Sequence, residues 1–269
     1  SLFGIDVCTL ALFRVGLGFT LLWDFAFEWG PWFTEFLTNQ GPLYAGSQPD
    51  FDLLWSLHRS CTGIWWTTLL FGLSITAAIC LVLGFHTRIA TVTSWVLLTS
   101  MHNRHLALVH PGDFLLRLLL FWSMFLPLGC AYSVDSKRSF MRRGGQPRRR
   151  RRVANLATMA IFLQTLYFTM LCGLTKTDVS WNQGSALSTI LSHPMLSEPA
   201  GLWLASTMPA FLEQLTAAVP WLELYGPLMV LVVGLPMFNA YGVLVRTVLC
   251  SWFLCYHIIS GVCLSLGTF

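Results

Sequence analysis

Residues 173–184 read GLTKTDVSWNQG, and the lysine within them, Lys176, follows twenty-three residues that carry no formal charge. A lysine amine becomes a base only when it is partly desolvated, because burial favours its neutral form. Around it stand Thr175, Thr177, Asp178, Trp181 and Asn182, the makings of a polar, aromatic-flanked pocket. Asp178 would oppose base chemistry by keeping the amine charged. Position alone also suits a lysine that snorkels to a membrane surface. His257 lies inside the last apolar run and reads either as a hydrogen-bonded core group or as a catalyst. Glu223 opens another apolar run, where a helix N-terminus favours a carboxylate.

A second cluster of polar groups is HNRHLALVH, with His102, Asn103, Arg104, His105 and His110. His102 and His105 are three apart and would share a helical face, a spacing that can ligate a metal. Apart from Asp113, no nearby cysteine or paired carboxylate completes a ligand set. The expected role is therefore a polar cluster lining an external cavity, without a metal. Asp113 and Arg117 have the favourable acid-first i,i+4 order, and Asp113 can cap its helix. Arg14 and Asp24 interrupt the first apolar run. Ten residues separate them, nearly three helical turns, so each must find its partner on another helix.

These groups sit in a chain of 269 residues that is 55% hydrophobic and 10% charged, with a mean hydropathy of +0.64. A soluble domain carries about 25% charged residues. Apolar runs of spanning length recur, and they are too long and too continuous for barrel strands, so backbone satisfaction in lipid requires helices. The expectation is an all-α polytopic membrane helix bundle with seven to eight transmembrane helices. The predicted spans are Val7–Trp29, Thr62–Leu83, Ile89–Met101, Asp113–Ala131, Val153–Thr175, Leu222–Phe238 and Leu244–Leu266. Residues 201–220 are ambiguous between a span, a re-entrant helix and an interfacial one, because Pro209 and Glu213 argue against a simple span. The many Trp and Phe near the ends of the runs suit the aromatic belts of a bilayer.

More than half of the 16 Lys and Arg lie in KRSFMRRGGQPRRRRR, residues 137–152. A basic tract between two spans is a topological signal, so loop 132–152 is expected on the cytoplasmic (or stromal or matrix) side, together with the N-terminus. The lipid bilayer, anionic headgroups included, is the expected partner, with no nucleic acid. Counting helices forward places Lys176 on the opposite face, where positive-inside bias does not account for it. None of the eight cysteines forms a CxxC pair and most lie in apolar runs, so they read as small buried hydrophobes. The chain begins with Ser1 and shows no cleavable-signal pattern, and is expected to be a processed or partial product.

Six stretches in this order resemble the horizontally transferred transmembrane (HTTM) domain, which includes the membrane part of vitamin K-dependent gamma-glutamyl carboxylase. They are LALFRVGLGFTLLWD, HNRHLALVHPGDFLLRLLLFWSMFLPLG, YSVD, YFTMLCGLTKTDVSWNQGSAL, LELYGPLM and CYHIISGVCLSLGTF. The resemblance implies one HTTM-like transmembrane domain over residues 1–269. It also implies that Lys176 is the base that deprotonates a quinol such as vitamin K hydroquinone, within a G-x-x-K-x-D-x-x-W-x-x-G pattern that Asp178, Trp181 and Gly184 match. His257 would act beside it, and Asn103, Arg104, Trp181 and Glu223 would surround a quinone or another lipid-soluble reactant. The carboxylase has two adjacent lysines where this chain has Thr175–Lys176, and an Asn–His pair where this chain has Asn103–Arg104. It also carries a large lumenal domain for its peptide substrate, so what is shared is the membrane domain and its external pocket. The competing expectation is a non-catalytic subunit of a larger membrane complex.

Overall fold

The computed structural model describes residues 3–38, 54–61, 63–104, 108–145, 152–194, 196–233 and 239–264. It is all-α apart from one two-residue strand pair. The chain divides into two compact units, Phe3–Ile161 and Phe162–Gly267.

The first unit is built on α1 (Val7–Trp23), α2 (Ile64–Leu83), α3 (Thr87–His102) and α4 (Pro111–Ser123). Consecutive helices α2, α3 and α4 pack as neighbours, and α1 lies against α2. Leu17, Leu21, Phe25, Ala78, Leu81, Leu98, Met101 and Leu120 form its main core. At the end of α1, Asp24–Trp29 winds as a π-helix, a wider turn that commonly marks functional sites. Strand β1 (Ile5–Asp6) pairs antiparallel with β2 (Arg152–Val153), which ties the start of the unit to the segment after the basic tract.

Arg14 is fully buried and finds its partners at the C-terminal end of α2 rather than in a carboxylate. Its guanidinium donates to Leu81 O and Val82 O, each at 2.6 Å, and to Tyr132 O at 2.7 Å. A cation is favoured there by the unsatisfied carbonyls and the helix dipole. The same helix end turns on Gly84, at φ 69°, against which Arg14 packs. The YSVD stretch has a structural role of the same kind. Ser133 caps the short helix Val134–Arg142, and Asp135 accepts from His86 N, Thr87 N and the Thr87 hydroxyl at 3.0, 2.8 and 2.7 Å. Partial burial would raise the Asp135 carboxyl, but these three donors outweigh it and hold it below the usual carboxylate range. Asp135 thus supplies the cap at the N-terminus of α3 from outside that helix.

The second unit comprises most of α5 (Leu156–Thr175), then α6 (Pro209–Val233) and α7 (Asn239–Cys263), with short helices at Val179–Asn182, Ala186–Leu191 and Pro199–Thr207 between α5 and α6. The ambiguous stretch 201–220 resolves into the end of one helix and the start of a long one. Pro209 stands at the first position of α6, where its missing N–H costs nothing. Pro220 and Pro227 lie inside the same helix. Glu223 is therefore a mid-helix residue and not the start of a span.

Among the described residues, four helical stretches are long and apolar enough to cross a membrane: Val7–Trp29, Ile64–Leu83, Leu156–Thr175 and Pro209–Val232. Helices α3 and α4 have 16 and 13 residues, short of the roughly 20 that a bilayer core requires. The span expected over Asp113–Ala131 is helical only to Ser123, since turns at Met124–Leu126 precede Pro127 and a short 3-10 turn follows. Outward-facing Leu12, Phe19, Trp65, Leu69, Tyr167 and Leu254 are all more than half exposed, a surface suited to lipid and unsuited to water. No disulfide links cysteines among the described residues.

Candidate functional site

Lys176 leaves the C-terminal end of α5 in a short turn, its backbone N–H bonded to Gly173 O at 3.3 Å. Gly173 is the reason the lysine meets α6. A Cβ at this position would lie 2.8 Å from Pro220 O and 2.9 Å from Leu224 N, so only glycine permits this close approach of the two helices. The approach delivers the ammonium to the Glu223 carboxylate, and the two form an ion pair through Nζ and Oε2. The lysine side chain is 19% exposed and the glutamate 7%. The same Nζ donates to Cys172 O at 3.1 Å and lies 5.4 Å from the centre of the Trp181 ring, in a cation–π contact.

The other Glu223 oxygen, Oε1, accepts from the Tyr256 hydroxyl of α7 at 3.1 Å. A continuous chain of contacts therefore runs from Trp181 through Lys176 and Glu223 to Tyr256, drawn from α5, the Val179–Asn182 helix, α6 and α7. Tyr256 is also in the wall of an apolar cavity of about 180 Å³, with Leu191, Leu212, Phe211, Ile259 and Ser260 among its neighbours. One side of Tyr256 thus faces an apolar hole and its hydroxyl faces a buried carboxylate. Few polar groups placed at one point of an apolar wall are the usual make-up of a small-molecule site.

Of the residues the sequence singles out, Lys176, Trp181 and Glu223 are brought together. Asp178 does not pair with the lysine; it begins the Val179–Asn182 helix. His257 is exposed on α7, its ring 5.3 Å from that of Tyr256, and it is Tyr256 that reaches Glu223. Tyr256 escaped the sequence reading because a tyrosine in an apolar run passes for a belt residue. Its one distinguishing mark is that it directly precedes His257.

Asn103 and Arg104 belong to the first unit, where backbone carbonyls engage both side chains. Asn103 Nδ2 donates to Trp55 O at 3.0 Å. Arg104 donates through Nε to Phe36 O at 3.1 Å, through Nη2 to Thr38 O at 3.4 Å, and through Nη1 to His58 O. This pair fastens the segment after the first helix onto the end of α3. His58 sits beneath it, fully buried, with Nδ1 2.8 Å from Ser100 Oγ. Burial, and secondarily the Arg104 charge, push this imidazole down to about 4. His105 and residues 146–151 of the basic tract lie outside the described residues.

No curated protein and no solved structure matches this sequence. A family model does: that of the HTTM domain matches residues 4–269, essentially the whole chain, and the protein therefore belongs to the HTTM domain family.

Proposed function

We propose that this membrane protein handles a proton for a lipid-soluble reactant bearing an acidic hydroxyl, with Lys176 as the proton-accepting group. The observation that carries the reading is the Tyr256–Glu223–Lys176 chain, one end of which forms the wall of an apolar cavity. A quinol is the reactant class that such a hole fits, since an aromatic ring needs apolar walls and its hydroxyl needs one polar contact. The quinol, when bound, supplies the acidic O–H and the redox chemistry. Glu223 takes the ammonium proton on Oε2, leaving Nζ of Lys176 as a neutral amine; the reactant hydroxyl then gives its proton to the Tyr256 oxygen, the Tyr256 proton passes to Glu223 Oε1, and the proton on Oε2 returns to Nζ. Tyr256 holds Glu223 in place through Oε1. Trp181 shields the amine from water on its other side. Loop 132–152 is taken as cytoplasmic and Lys176 as lying on the opposite face.

A second reading rests on a specific observation as well. Lys176 already has an anion, a carbonyl and an aromatic face, as a purely structural interhelical pair would. On that reading the protein is a non-catalytic subunit of a larger membrane complex. Quinol oxidation or carboxylation in membranes, measured for the wild type and Lys176→Ala, separates the two. The proposal expects turnover to fall by at least about a hundredfold, as for removal of a general base. Unchanged turnover removes Lys176 from any mechanism. A stable monomer without co-purifying partners in mild detergent counts against the subunit reading.

A further inference from the structure

The first unit holds three ionisable side chains whose burial the fold does not explain. Asp24 begins the π-helical turn after α1, His102 is the last residue of α3, and Asp113 stands in the first turn of α4. Their relative exposures are 0%, 0% and 4%. One potential ligand atom from each lies within 4.8 Å of the others. Both oxygens of Asp24 and both ring nitrogens of His102 lack a hydrogen-bond partner. Asp113 uses Oδ2 to accept from His110 N at 2.8 Å, which caps α4 and holds the carboxylate in place. The His102 ring is fixed by stacking on Trp29 at 5.9 Å.

Buried polar atoms without partners are rare, and buried carboxylates without partners are rarer, because each loses its hydration for nothing in return. Here two side chains carry four such atoms, and one atom from each lies within 4.8 Å of a ligand atom of the third ionisable group. Arg117, one turn beyond Asp113, offers a single positive charge against two carboxylates, and its Nη1 is itself without a partner. A dication at the centre would remove the carboxylate repulsion and coordinate one nitrogen of His102 and an oxygen of Asp24. The spot is not sealed. Asp24 and Asp113 line a cavity of about 180 Å³ together with Glu28, Trp32 and His110, so a coordination position is open on that side.

We infer that Asp24, His102 and Asp113 form a binding site for a divalent first-row transition-metal ion, with Zn²⁺ as its probe. One imidazole nitrogen and two carboxylate oxygens suit such an ion better than the all-oxygen shells of Ca²⁺ or Mg²⁺. Three protein ligands with an open side match the pattern of sites that keep a position for water or substrate. The ligands draw together around the ion, and the wider π-turn gives Asp24 the room to do so. This site is independent of the role given to Lys176.

The test uses the full chain, tag removed, purified in mild detergent and stripped with a chelator. Zn²⁺ is added, excess is removed, and bound metal is counted by mass spectrometry; Co²⁺ serves as a visible-absorption probe. One ion per chain is expected in the wild type and in Lys176→Ala, with binding weakened at least tenfold in Asp24→Asn and in His102→Gln. Melting temperatures give a second readout that does not depend on perfect folding of each variant. Without metal, Asp24→Asn should melt above the wild type, because it removes a carboxylate that has no partner. With Zn²⁺ the order should reverse, because only the wild type gains from binding. Binding that is absent, that survives both substitutions, or that occurs with Ca²⁺ and Mg²⁺ but not with Zn²⁺ or Co²⁺ overturns the inference.

Discussion

Replacing Glu223 with glutamine would leave the shape of α6 intact and strip the charge from the partner of Lys176. The ammonium would keep Cys172 O at 3.1 Å and the Trp181 face at 5.4 Å, but no anion. Two unit charges in contact attract by about 4 kcal/mol at the effective dielectric of a protein, and breaking a fully buried pair costs about 3–5 kcal/mol. Lysine is 19% exposed, so part of the charge is recovered by solvent, and a loss of ~2–3 kcal/mol follows. The assay is equilibrium unfolding in mild detergent, on the wild type, Glu223→Gln, Lys176→Met and the double variant. Each single variant leaves one charge half-stranded, whereas the double variant leaves none, so the double variant should recover most of the stability lost. Turnover should not recover with it, because Lys176 is still missing. The reasoning fails if Glu223→Gln is as stable as the wild type, or if the double variant loses the sum of the two singles.

The buried His58 predicts an acid-sensitive stability. Its imidazole is held at about 4 when folded and titrates near 6.5 when unfolded, so its contribution is complete above pH 6.5 and is lost as pH falls towards 4. The total is about 3 kcal/mol, and unfolding of His58→Asn should show a flatter pH profile across that window than the wild type. Asp135→Asn should weaken the cap on α3 by about 1 kcal/mol at neutral pH. The penalty should shrink at a pH low enough to protonate the wild-type carboxylate, whose folded value lies below that of the unfolded chain. Thermal melts at two pH values check this.

Low charge and apolar run length made the helical class readable from the residues, and the position of Lys176 pointed to the cluster it forms with Glu223 and Trp181. What escaped depended on contacts between distant segments. Spacing along the chain offers Lys176 the carboxylate of Asp178, two residues away, but its partner is Glu223, because the close approach at Gly173 is not a property of any such spacing. Arg14 does meet its partner on another helix, but that partner is a carbonyl end, which no residue type in the sequence marks. Spacing along the chain pairs His102 with His105, whereas the groups that lie within 4.8 Å of one another are His102, Asp113 and Asp24, the last of which follows the first helix. Pro209 misled in the other direction: a residue that breaks a helix interior also begins a helix well.

The π-helical turn Asp24–Trp29 has a consequence for the angular register of the first helix. A turn of this kind is an α-helix that has absorbed one extra residue, and one residue corresponds to roughly 100° of helical rotation. The α-helical part that holds Arg14 and the π-turn that ends in Trp29 therefore keep separate angular registers. A single-codon deletion between them would leave the apolar pattern of either half legible while rotating one against the other. Relatives that lack the extra residue should accordingly keep the guanidinium anchor yet present a different face at the position where this chain presents Trp29.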